Sequence, residues 1–115
     1  DYASLIVDGV KTLESRDSNS LKPYIGKRVS IVRTGKGKAY AIGEITIGEP
    51  LIAFETNFRA MFCFHRVPKD SKFDIKPNSV KFLYPLTDPK RYEKPLNVGL
   101  GIISRQVLGG SHDEK

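Results

Sequence analysis

The sequence predicts an α+β domain, a curled sheet or small β-barrel of about five or six strands with two short helices. Three observations lead there. The runs "KRVSIV", "AYAIGEITI", "VKFLYPL" and "LNVGLGIISRQV" have strand-like apolar content and are separated by glycine- and proline-rich breakers. The runs "DYASLIVDG" and "FETNFRAMFCFHR" instead space their apolar residues by three or four, as helices do. A chain of 115 residues has room for one core, so residues 1–108 form one domain and "GGSHDEK", 109–115, a flexible tail.

Taken in order, Asp1 is a candidate N-cap for a helix over residues 2–8, and Gly9 stands where a left-handed C-terminal residue is expected. "VKTLESR" then reads as extended, with Leu13 on one side and Thr12, Glu14 and Arg16 on the other. "SNSLKPYIG" is a loop. "KRVSIV" is a strand with Val29 and Ile31 facing one way, and Gly35 and Gly37 allow a tight turn into "AYAIGEITI", a strand with both faces buried. Phe54, Phe58 and Met61 or Phe62 mark the second helix. "VKFLYPL" alternates Val80, Phe82 and Tyr84 and is expected to end at Pro85, leaving "TDPKRYEKP" as a polar connector before the last strand.

Composition narrows the class. No run approaches about 18 apolar residues and no secretory pattern opens the chain, so the reading is an intracellular protein, cytoplasmic or nuclear, with no membrane partner. The single Cys63, within "AMFCF", is expected to be a buried small hydrophobe. His65 and His112 stand too far apart in sequence for metal-ligand spacing, so neither a metal nor a cofactor is implied; His65 reads as a half-buried helix residue.

The net charge of +6 favours polyanionic partners, and its distribution is uneven. No acid occurs between Asp17 and Glu44, while Lys22, Lys27, Arg28, Arg33, Lys36 and Lys38 accumulate there. The hairpin tip is therefore a candidate nucleic-acid contact. Lys27, Arg28, Arg33, Lys36 and Lys38 would meet phosphates, and Tyr40 would stack on a base. The plainer reading is a soluble hairpin. No G-x-x-x-x-G-K-[ST] occurs, which excludes a nucleoside triphosphate P-loop.

The stretch "GVKTLESRD" places Lys11, Glu14 and Arg16 within six residues just after the first helix. Glu14 and Arg16 share a strand face, and Lys11, close to the turn, is able to point into the same pocket. Two cations and one carboxylate suit a polar, partly anionic ligand; a solvated strand face carrying surface ion pairs is the other reading.

"YASLIVDGVKTLESR" resembles the signature of the ASCH domains, a group related to PUA-like RNA-binding folds, in which a short helix precedes G-x-K-x-x-E-x-R. Gly9, Lys11, Glu14 and Arg16 complete it in order, and softer similarities, "AIGEITI" and "YPLTDPKRYEKPLNVGLGI", extend it to about residue 107. The resemblance implies a PUA-like β-barrel whose motif lines a cleft for RNA or a nucleoside-like ligand, with Lys11, Glu14 and Arg16 as ligand-binding residues. Relatives usually carry a strand just before the helix, whereas this sequence starts at Asp1, so the barrel edge that strand would cover is expected to be open. The family also includes hydrolases of N4-acetylated cytidine and a ribonuclease. In the hydrolase branch a threonine follows the motif lysine by three residues; here that position is Glu14. The enzyme alternative therefore rests on Lys11 and Glu14 alone as catalytic candidates, and a protein-interaction domain is the third reading.

Overall fold

The computed structural model describes residues 1–35, 37–98 and 107–108; Lys36, His112, the tail and most of the expected last strand lie outside the described residues. The first helix, α1 (Tyr2–Val7), starts at Asp1, whose carboxylate accepts a hydrogen bond from the Ser4 amide at 2.8 Å. Gly9 takes φ +77°, and bonds from Gly9 N to Ile6 O and from Val10 N to Leu5 O close the helix in a Schellman turn. The chain then enters β1 (Leu13–Arg16). After a loop with one 3₁₀ turn, Lys22–Tyr24, β2 (Arg28–Gly35) and β3 (Lys38–Ile47) form the expected hairpin, with Gly37 at φ +77°.

β4 (Leu51–Ala53), α2 (Glu55–Ala60), α3 (Phe62–His65), β5 (Lys81–Asn97) and β6 (Val107–Leu108) follow. The order across the sheet is β1-β5-β3-β2-β6, with β4 also on β5. Every pairing is antiparallel except β2 with β6, and the sheet curls into a half-barrel. The domain is α+β, as expected, with three short helices where two were expected.

α1 packs Ala3, Ile6 and Val7 into one core with Val29 and Ile31 of β2, Ile42, Ile45 and Ile47 of β3, and Tyr84 and Leu86 of β5. Its close seat requires Gly43: a Cβ there would stand 2.6 Å from a Val7 methyl and 2.3 Å from the Lys90 carbonyl oxygen. A second core, Leu13, Ala53, Phe58, Val67, Ile75 and Leu83, lies under α2. β1 and the first half of β5 are thus covered on both faces, which is why charged residues of β1 are buried along with its apolar ones.

Three expectations are corrected. β5 does not end at Pro85 but continues through the supposed connector, paired with β3. Its prolines are accommodated by position: Pro85 is at the end of the β1 pairing, and Pro89 and Pro95 fall where the β3 register slips. Asp88, at φ +55°, belongs to the first of those slips. The second helix is broken at Met61, so α2 buries Phe58 while Phe54 and Phe62 are exposed. Cys63, on the outer side of α3, is exposed rather than buried.

Candidate functional site

The Schellman turn and the first residues of β1 bring the three motif side chains together. Glu14 and Arg16 lie opposite Tyr84 and Phe82 of β5 and so share their face. Lys11, just before the strand, reaches the same carboxylate from the turn. Arg16 Nε donates to Glu14 Oε2 at 3.0 Å, and Lys11 Nζ stands 4.0 Å from Glu14 Oε1. All three are buried, Lys11 at 2% exposure, Glu14 at 5% and Arg16 at 6%. The plainer reading, a solvated strand face, does not describe them.

Lys11 Nζ also donates to the His65 carbonyl oxygen and lies 4.8 Å from the centre of the Tyr2 ring. His65 is buried between the turn and α2. Its ring stacks on Phe58 with centroids 4.0 Å apart. The Val67 amide donates to its Nδ1 at 2.9 Å, so Nε2 carries the proton and donates to the Phe58 carbonyl at 2.7 Å. Burial lowers its pKa from 6.5, with Lys11 and Lys81 adding to the effect against the Phe58 hydrogen bond and Asp74. A proton on Nδ1 would meet the Val67 N–H.

The unfolded chain therefore takes up a proton near pH 6.5 that the folded chain resists, and the stability held above that pH is lost as pH falls from there toward the lowered folded pKa. Urea unfolding between pH 7.5 and 5 is expected to show a loss approaching about 1.4 kcal/mol per pH unit below pH 6.5. His65→Gln should flatten that segment, since most carboxylates titrate at lower pH. An unchanged slope would show that His65 is not its source.

Two cavities lie nearby. One, of about 500 Å³, opens between α1, the end of β2 and the loop before β5, walled by Tyr2 and Phe73, with Ala3 and Leu5 lining it and Arg33 and Lys72 bringing positive charge. The other, about 420 Å³, lies between the start of α2 and residues 78–80. Neither is lined by Lys11, Glu14 or Arg16. The motif charges face one another, and their link to the first cavity runs through Tyr2. Both Glu14 oxygens are approached by cations, so the cluster holds a carboxylate in place rather than offering it as a base.

The hairpin residues divide. Lys27, Arg33 and Lys38 are exposed, and Arg33 also lines the first cavity. Arg28 is engaged within the fold: Nε donates to Glu44 at 3.1 Å, and Nη1 to Thr46 Oγ1 at 3.0 Å and the Asp88 carbonyl at 2.7 Å. Hydrogen bonds from Tyr92 and then Arg28 hold the Glu44 carboxyl below its ordinary range. Tyr40 packs partly buried against the first core rather than standing free to stack. Among the described residues no cluster of three or more His, Cys, Asp or Glu stands ready for a metal, and no helix is long and apolar enough to cross a membrane.

The sequence reading did not single out Lys81, Tyr2, Lys72 or Phe73. Lys81 is 4% exposed and pairs with Asp17 at 2.6 Å. Its parity with Leu83 on β5 was a legible sign. Tyr2 and Phe73 meet only through the tertiary fold, with ring centroids 6.2 Å apart. A scan against protein-family models and a search of curated proteins return no match to this chain.

Proposed function

We propose that the protein is a binding module of the ASCH type that takes RNA or a modified nucleoside in the cleft beside α1. The observation that carries this reading is the buried Lys11–Glu14–Arg16 network set directly behind Tyr2, a wall of the 500 Å³ cavity. Lys11 fixes the ring, Glu14 fixes Lys11, and Arg16 closes the network. The exposed hairpin cations Lys27, Arg33 and Lys38 add a positive field beside the opening.

The hydrolase alternative, acting on N4-acetylcytidine or RNA, needs a base within reach of substrate, and the engagement of Glu14 by both cations favours binding over turnover. The interaction-domain reading draws on a different region, where Leu51, Ile52, Phe54, Phe62 and Phe64 are exposed. Incubation with N4-acetylcytidine and with a short single-stranded RNA separates the three. Retention without product is expected. Release of cytidine or cleaved RNA would move the reading to the enzyme, and neither retention nor turnover would leave the interaction domain.

Binding of RNA is also expected to weaken steeply as salt rises. Lys27→Ala and Lys38→Ala should each reduce the slope of log affinity against log salt by roughly one unit. Arg28→Ala should instead lower stability, because its guanidinium joins β2 to β3 and β5. Salt-independent affinity would remove the hairpin from the site.

A further inference from the structure

The cavity beside α1 has two kinds of wall. Tyr2 and Phe73 supply aromatic surface, and their planes are tilted by 52°, so a planar group lies across one ring and does not slide between the two. Ala3 and Leu5 continue the apolar lining. Positive charge comes from two separate elements, Arg33 near the end of β2 and Lys72 from the loop before β5. Lys72 Nζ lies 5.2 Å from the centre of the Phe73 ring, which holds its charge over the aromatic wall. Arg33 Nη1 reaches Ser4 Oγ at 3.4 Å, fixing that side chain toward α1. The one carboxylate lining the cavity, Asp1, is turned to the Ser4 amide.

A ligand that satisfies both walls has a flat ring and a compact anion within one residue's length. We propose that this cavity is a subsite for a nucleoside monophosphate unit, the base on Tyr2 or Phe73 and the phosphate between Arg33 and Lys72. The unit is either a free nucleotide or the 5′-phosphorylated end of an RNA strand. The proposal rests on the binding-module reading and adds a requirement for phosphate, supplied by residues outside the Lys11–Glu14–Arg16 motif. Aromatic stacking tolerates any base, so the phosphate sets the preference at this subsite.

The test is a calorimetric titration of the full chain with adenosine, adenosine 5′-monophosphate, inorganic phosphate and two RNA hexamers that differ only in a 5′-phosphate. The monophosphate is expected to bind at least tenfold more tightly than adenosine or phosphate alone. Arg33→Gln and Lys72→Gln, both at exposed positions, should each remove most of that advantage without changing the melting temperature. Phe73→Leu should weaken adenosine and its monophosphate alike. If the free nucleotide is the source, the two hexamers bind equally; if an RNA end is the source, the phosphorylated hexamer binds more tightly. Either result supports the subsite, provided the monophosphate shows its advantage. Equal affinity for adenosine and its monophosphate, or indifference to both glutamine variants, overturns it, and RNA retained under those conditions leaves the module reading standing. No binding by any of these probes overturns both.

Discussion

Glu14→Gln is expected to unfold on the order of 10 °C or more below the parent protein, a loss of about 3–5 kcal/mol. The carboxylate is 5% exposed and stands between Arg16 Nε at 3.0 Å and Lys11 Nζ at 4.0 Å. An amide keeps the shape but leaves two buried cations without the charge that offsets their desolvation. A surface ion pair would lose at most about 1 kcal/mol. Adding Lys11→Met to Glu14→Gln should restore a measurable part of the loss, because one of the two uncompensated charges goes with it. The coupling appears as non-additivity in a double-mutant cycle. Thermal melts and urea titrations read both quantities, and a single-variant loss below about 1 kcal/mol would mean that the cluster is solvated.

Phe58→Ala is expected to lose about 3–5 kcal/mol, the range for deleting a buried aromatic ring. Phe58 is 1% exposed in the second core, and its ring faces His65 at 4.0 Å. The deletion also loosens the backbone on which the site depends, since the His65 carbonyl receives Lys11 and the neighbouring Phe64 carbonyl receives the Thr12 amide at 2.8 Å. Hydrogen exchange at the Thr12 amide should therefore quicken in Phe58→Ala beyond what it does in Phe58→Leu, which keeps most of the volume. Equal exchange in the two variants would show that α3 holds β1 without the ring.

What was legible in the sequence was what short-range physics decides. The cap at Asp1, the left-handed Gly9 and the hairpin at Gly37 depend on a few neighbouring residues, and each is where the residue types placed it. The convergence of Lys11, Glu14 and Arg16 was legible for the same reason, since a turn and a strand of known parity bring them within reach. Their depth was not. Burial of β1 on both faces comes from α2 on one side and the α1 core on the other, and no local pattern reports that. Pro85 misled because a proline ends a strand only where its missing N–H is needed, and here the register places the prolines at a pairing end and in bulges. Phe54 and Cys63 misled because apolar character does not say which side of a short, broken helix faces the core. The cavity was out of reach, since its walls come from α1, β2 and a distant loop.

The central claim is that the cleft backed by the Lys11–Glu14–Arg16 network is where ligand binds. Amide chemical shifts of the labelled protein, followed while a short single-stranded RNA is added, test it most directly. The account predicts the largest shifts at Tyr2, Ala3, Arg33, Thr34 and Phe73, smaller ones at Lys11 behind the ring, and little change at residues 51–64. Shifts concentrated at residues 51–64, or none at millimolar RNA, would contradict it.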